Sequence, residues 1–239
     1  MSFSLLLTVF CFAGSALSKS LFSPPCSTED VPCIEKSING AVPALTAGIP
    51  HLNMKPLDPL FLELIEGNLS ILKYKFYNST ITGYKDCVVK NIKLDKELTS
   101  VYYELHCPGF QLEGKYEIDG RLIILPVEGK GDYYLATGKY TINVDSELKK
   151  IQGSDGKTYL TIKNYKLKCK AQAPIKFDFK NLFNGQKDLS DAVHKFAHEN
   201  WSEVAELVQD PVYYAALKKI TNNVNKYLKT VPVEEYVLS

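Results

Sequence analysis

The side chains able to act as nucleophiles, bases or metal ligands are few, and their spacing limits them. His194 and His198 stand four apart in His-Lys-Phe-Ala-His-Glu-Asn, the spacing at which two imidazoles on one helix face could share a metal. That order is not the His-Glu-x-x-His of a zinc protease, and no third His is near in sequence, which favours a solvated helix face. Cys169 could serve as a nucleophile. In Lys166-Leu-Lys-Cys-Lys, however, a strand turns the neighbouring lysines away from the thiol and favours a buried or bridged cysteine. The glycines of Glu128-Gly-Lys-Gly-Asp132 lie between strand-like runs with no helix after them, as in a turn or bulge rather than a phosphate cradle. A Gly-x-Ser-x-Gly elbow and a phosphate-binding Gly-x-x-x-x-Gly-Lys-Ser/Thr loop are both missing. No catalytic constellation emerges, and neither a cofactor nor a metal is expected.

The cysteines point instead to a structural role in an oxidising compartment. An apolar run over residues 3–13 followed by Ala16-Leu-Ser18 reads as a secretory signal peptide, residues 1–18, although its positive n-region is missing. The run is too short to span a bilayer, so a secreted chain without an integral membrane anchor is expected, with residues 19–239 as one domain. Beyond Cys11 there remain Cys26, Cys33, Cys87, Cys107 and Cys169. Cys26 and Cys33 are close enough to clip the N-terminal segment to a first helix. Cys87 and Cys107 lie almost symmetrically about the Lys96-Glu97 turn, which permits a cross-strand disulfide. Five is odd, so one of Cys87, Cys107 and Cys169 is free or pairs between chains. Sequons at Asn68, Asn78 and Asn200 agree with secretion and are candidate glycosylation sites.

Charge excludes further classes. With 28 Lys and Arg against 27 Asp and Glu, the formal net charge is +1, and no basic block stands out, so nucleic acid is not an expected partner. Arg121 is the sole Arg, which excludes recognition of phosphates by an Arg cluster.

The elements follow from periodicity. Asp30 and Pro32 start a helix that carries Ile34, Ile38, Ala41 and Leu45 on one face and stops at Gly48. A proline-rich apolar ribbon, residues 48–62, comes next. Residues 69–180 read as long strands. Phe110, Leu112, Tyr116 and Ile118 face one way, with Gln111, Glu113, Lys115 and Glu117 opposite them. Val101, Tyr103, Leu105 and Cys107 alternate just before, and Gly153-Ser-Asp-Gly makes a hairpin. No helical crossover pattern separates the strands, so the sheet is expected to be antiparallel. From Lys187 a helix runs through Val193, Phe196, Ala197, Val204 and Leu207, and Asp210-Pro211 starts another that ends at Pro232. The chain is therefore expected to be α+β, with a long C-terminal helix wrapped by a strongly curved antiparallel β-sheet. Fifteen Tyr and 11 Phe either fill the core or line a cavity.

The ordered set Cys26…Cys33, Gly48-Ile-Pro…Pro56-Leu-Asp-Pro-Leu60, Gly114-Lys-Tyr116, Gly120-Arg-Leu-Ile-Ile-Leu-Pro126, Gly129-Lys-Gly131, Asn181-Leu-Phe-Asn-Gly185 and Asn200-Trp201 resembles the insect takeout / juvenile-hormone-binding protein family, of the TULIP superfamily. The resemblance runs from Cys26 to Pro232. It implies a long helix inside a curved antiparallel sheet, an elongated hydrophobic tunnel and a secreted carrier of a terpenoid or fatty ligand, and it maps the family's N-terminal disulfide onto Cys26–Cys33. In moth juvenile-hormone binders a strand cysteine matching Cys169 bridges to a cysteine of the C-terminal helix. No cysteine follows Cys169 here, and Lys55 stands where their ribbon carries Trp, so the likeness is to the takeout branch. The Tyr that meets the hormone's epoxide in those proteins falls near Tyr140.

The expected function is a monomeric carrier of one small hydrophobic ligand, with Leu60, Leu62, Phe110, Leu112, Tyr116, Ile118 and Tyr140 as candidate contacts. Two rivals are a secreted lipid-ester hydrolase, which would need a nucleophile such as Cys169 beside a base such as His106, and a protein-interaction module with an apolar face.

Overall fold

The computed structural model describes residues 20–238, so the expected signal peptide lies outside the described residues. In chain order the elements are β1 (Cys26–Ser27), α1 (Val31–Ala47), β2 (Leu60–Asn68), β3 (Leu72–Thr82), β4 (Val88–Leu94), β5 (Ser100–Cys107), β6 (Gln111–Leu122), β7 (Leu125–Thr137), β8 (Tyr140–Gln152), β9 (Thr158–Ala171), β10 (Ile175–Phe179), α2 (Lys187–Glu199), α3 (Trp201–Leu228) and β11 (Val237–Leu238).

The expected α+β architecture is present, with two corrections to its layout. The long antiparallel strands divide into a five-stranded sheet, order β10-β7-β6-β3-β2, and a four-stranded sheet, order β4-β5-β8-β9. A short parallel pair, β1 with β11, joins the two ends of the described chain. The helical break also differs. α2 ends at Asn200, whose carboxamide donates to the Phe196 carbonyl at 2.9 Å, and α3 then runs through Pro211 without interruption. One proline removes one N–H from a helix of 28 residues, a loss that packing on both sheets offsets.

The N-terminal helix forms as its sequence dictates. The Asp30 carboxylate accepts from the Cys33 amide at 3.0 Å, and Gly48 ends the helix at φ +83°, where a Cβ would lie 2.7 Å from the Met54 carbonyl. The ribbon is shorter than expected. Leu60 and Leu62 already belong to β2, hidden in the sequence because inward positions shift from Leu60 and Leu62 to Ile65. What remains of the ribbon straps α1 to α3. The Leu57 amide donates to Thr46, Asn223 donates to the Lys55 carbonyl at 2.6 Å, and Met54 packs beside Tyr227 and Val231.

Helix side chains occupy three sheet edges. The Asn39 carboxamide of α1 both donates to and accepts from Val89 of β4, at 2.9 and 2.8 Å. Asn225 of α3 does the same with Ile162 of β9, at 2.9 and 2.7 Å. On β10 the amides of Phe179 and Phe177 donate to Nε2 of His194 and His198, at 2.9 and 3.1 Å. The two histidines thus moor α2 to a strand, where the sequence reading had favoured a solvated helix face.

Candidate functional site

The molecule has one filled half and one hollow half. In the five-stranded sheet, aromatic rings interlock. Phe76 stacks on Tyr133 at 4.5 Å, and Phe179 meets Tyr116 edge-on at 4.7 Å. In the four-stranded half, aliphatic side chains from α1 (Ile34, Ile38, Val42, Leu45) face those of β4 and β5 (Val89, Ile92, Val101, Leu105) and the C-terminal half of α3 (Leu217, Ile220, Val224, Leu228). Between them lies a cavity of about 260 Å³. Phe22, Tyr236 and Val237 contribute from the two ends of the described chain, and Leu57 from the ribbon.

Among the described residues no charged side chain lines this space. Its polar residues are Ser37, Thr46, Thr221 and three tyrosines, and the Thr46 hydroxyl is already donated to the Val42 carbonyl at 2.8 Å. Tyr103 of β5 keeps some accessible surface, yet burial pushes its hydroxyl up to about 12, because that surface faces the cavity rather than bulk water. Both disulfides, Cys26–Cys33 and Cys87–Cys107, form as the sequence allowed, and Cys26 and Cys87 are part of the cavity wall. Cys169 is the free cysteine among the described residues.

None of the seven candidate contacts is among the residues lining the cavity. Leu60, Leu62, Phe110, Leu112, Tyr116 and Tyr140 are buried in the main core, with Ile118 packed against it. The Tyr116 hydroxyl donates to the Lys180 carbonyl at 2.7 Å, and that of Tyr140 donates to Gln209 at 2.5 Å, so both are engaged within the protein. Phe110 comes nearest in effect, its ring 4.9 Å from that of Tyr84, which does line the cavity. The lining stripes of α1, β5 and α3 are visible in the sequence as apolar periodicity, but nothing in that pattern distinguishes a wall from a core.

The groups considered for catalysis are placed as follows. Burial drives the Cys169 thiol far above its usual range, so it is not a thiolate at neutral pH. His106 pairs with Glu104 at 2.8 Å on a partly exposed strand face, and Cys107 beside it is bridged. Asn68 and Asn78 are exposed, and Asn200 forms the junction of α2 and α3. Gly129 and Gly131 lie within β7, where residues 180–182 cross so closely that a Cβ on Gly131 would meet the Lys180 carbonyl at 2.4 Å. Among the described residues no group of three or more His, Cys, Asp or Glu is placed to hold a metal ion, and no helix is long and apolar enough to cross a membrane.

An uncharged internal cavity between a helix-backed sheet and a long helix is the architecture of proteins that hold small apolar molecules. Residues 5–238 match the family described as haemolymph juvenile hormone binding protein, and the chain belongs to that family of hydrophobic-ligand carriers. It is 30% identical over 222 residues to the circadian clock-controlled protein daywake of Drosophila melanogaster, covering 88% of this chain and 85% of that one. A putative beta-carotene-binding protein of Schistocerca gregaria is 22% identical over 166 residues, 69% of this chain and 66% of that one. The crystal structure of takeout 1 from Epiphyas postvittana superposes with a TM-score of 0.86 at 29% identity, covering 90% of this chain and 99% of that one. The fold is therefore the takeout fold.

Proposed function

We propose that this protein is a secreted, non-enzymatic carrier that holds one small, uncharged hydrophobic molecule in the cavity between α1, the four-stranded sheet and the C-terminal half of α3. The observation that carries this reading is the wall itself, about 260 Å³ of space bounded by aliphatic side chains without a charged group. A carboxylate or ammonium placed there would lose its hydration with no ionic partner, so the ligand's polar part is neutral, as in a terpenoid ester, ether or alcohol. An engineered cavity of about 150 Å³ accepts benzene, which scales to roughly ten non-hydrogen atoms here. Burying ten such groups at ~0.8 kcal/mol each is worth ~8 kcal/mol gross, which sets about micromolar as the tightest binding this space supports, before association costs are subtracted.

Secretion belongs to the same reading. It rests on the apolar leader over residues 1–18 and on the two disulfides, which fit an oxidising compartment. Residues 19–239 then act as a single monomeric domain, with Asn68, Asn78 and Asn200 as acceptors for glycans. The test is native mass spectrometry of protein secreted from insect cells, before and after organic extraction. A bound neutral lipid in the extract is expected. An empty protein that also takes up no terpenoid or fatty ester would overturn the reading.

A further inference from the structure

Between the hollow and filled halves stands a partition of aromatic rings. Tyr84 forms its cavity-facing side. Behind it Phe110, 1% exposed, lies 4.9 Å from the Tyr84 ring, 5.8 Å from Tyr213 and 6.2 Å from Tyr140. Two glycines make this meeting possible. Gly83 adopts φ +117° and sits so close to Gly109 that a Cβ would come within 2.3 Å of the Gly109 carbonyl, which brings Tyr84 and Phe110, the next residue in each case, into contact. The Asp58 carboxylate fixes the Tyr84 turn by accepting from the amides of Gly83 and Lys85, at 3.0 and 2.9 Å. Phe110 is pinned in turn, its amide donating to the Thr137 hydroxyl at 2.9 Å and its carbonyl accepting from the Thr137 amide at 2.8 Å. Behind the rings, Tyr140, Gln209 and the Cys169 carbonyl form a buried hydrogen-bonded chain that holds α3 against β8 and β9.

We infer that this partition sets the length of the ligand, with Tyr84 and Phe110 as the residues that determine specificity. The inference rests on the cavity being the ligand site, and it adds what limits the occupant. A chain lying between α1, β4, β5 and α3 grows through aliphatic surroundings until it meets the Tyr84 ring, and further carbons find no room. Leu60, Leu62, Leu112 and Tyr116 lie in the filled half beyond this stop and touch a ligand only where the partition gives way. Removing the Phe110 ring leaves a hole next to the cavity into which a displaced Tyr84 ring or the ligand tail can move, room for about three further chain carbons.

The experiment is binding of a homologous series of saturated fatty-acid methyl esters to the full-length secreted protein and its Phe110→Ala, Phe110→Leu and Tyr84→Leu variants, each checked for folding by its thermal transition. Affinity of the wild type is expected to rise with chain length and then stop rising. In the variants the limit moves to longer esters, and the first ester beyond the wild-type limit binds about tenfold tighter or more. Phe76→Ala, an equally large deletion within the filled half, keeps the wild-type limit. Should Phe110→Ala fail to fold, Phe110→Leu and Tyr84→Leu decide the matter. Folded variants with an unchanged limit, or a Phe76→Ala shift of the same size, overturn the inference. A wild type that binds no ester of any length overturns the carrier reading itself, and the length limit with it.

Discussion

The two halves of this molecule enclose their apolar side chains against opposite partners. In the five-stranded half, flat rings from β3, β6, β7 and β10 lie on one another, and the hydroxyls of Tyr116 and Tyr133 are donated to the Lys180 carbonyl and the Ser79 hydroxyl at 2.7 Å each. In the four-stranded half, branched aliphatic chains project from three elements and leave space. Rings have the area to reach across a sheet–helix gap, and Val, Ile and Leu on facing elements do not always close it. The braces are distributed accordingly. Both disulfides and the β1–β11 pair belong to the hollow half, where packing supplies least.

That contrast can be broken at several points. The largest effect is expected in the filled half, where Phe76→Ala should lower unfolding free energy by about 4 kcal/mol in urea titration. Replacing Cys87 and Cys107 together by Ala, which opens a loop of 20 residues, should lower it by about 3 kcal/mol and should also weaken ester binding. In the filled half the same thiol deletions have no counterpart. Alkali tests burial in both halves at once. Burial holds the hydroxyls of Tyr103, Tyr116 and Tyr133 up to about 12, above the ordinary value of about 10, so the folded state retains protons that the unfolded state releases. Stability is fully present below pH 10 and falls as pH rises towards 12. Melts followed by tyrosine absorbance should show that fall, and a bound ester, held only by the folded state, should offset part of it. Next in size, His194→Ala with His198→Ala removes two acceptors from β10 and should cost about 1–2 kcal/mol, read as faster hydrogen exchange at the Phe177 and Phe179 amides. The smallest effect belongs to the cavity wall. Ile38→Ala should cost about 1 kcal/mol, because the side chain already borders empty space, and should admit bulkier esters.

Much of the framework was legible in the residues. Asp30, Pro32 and Gly48 delimited α1, and Gly153-Ser-Asp-Gly marked the β8–β9 turn. Alternation placed Phe110, Leu112, Tyr116 and Ile118 on one face, and the structure buries the first three and packs the half-buried Ile118 against them. Alternation reports which face is buried, but not whether the opposite wall reaches it. The cavity arises from residues of α1, β5 and α3 that are far apart in sequence, and its volume depends on their relative sizes across the gap. Strand β2 was concealed for a local reason, the shift of inward positions between Leu62 and Ile65. The helix break was misplaced because Asp210-Pro211 carries the composition of a start, while the Asn200 cap works through a side-chain contact that spacing does not reveal.

The side-chain amides of Asn39 and Asn225 present one N–H and one C=O in the geometry of a peptide group, so each acts as a single residue of an additional strand. The nine strands of the two larger, open sheets would otherwise offer long unpaired margins on which a second chain could polymerise. Here one asparagine occupies a position on each margin of the four-stranded sheet, and two histidines occupy two positions on one margin of the other. Asn39 sits on α1, which also lines the cavity, so any change that loosens α1 from the sheet bares the β4 margin as well.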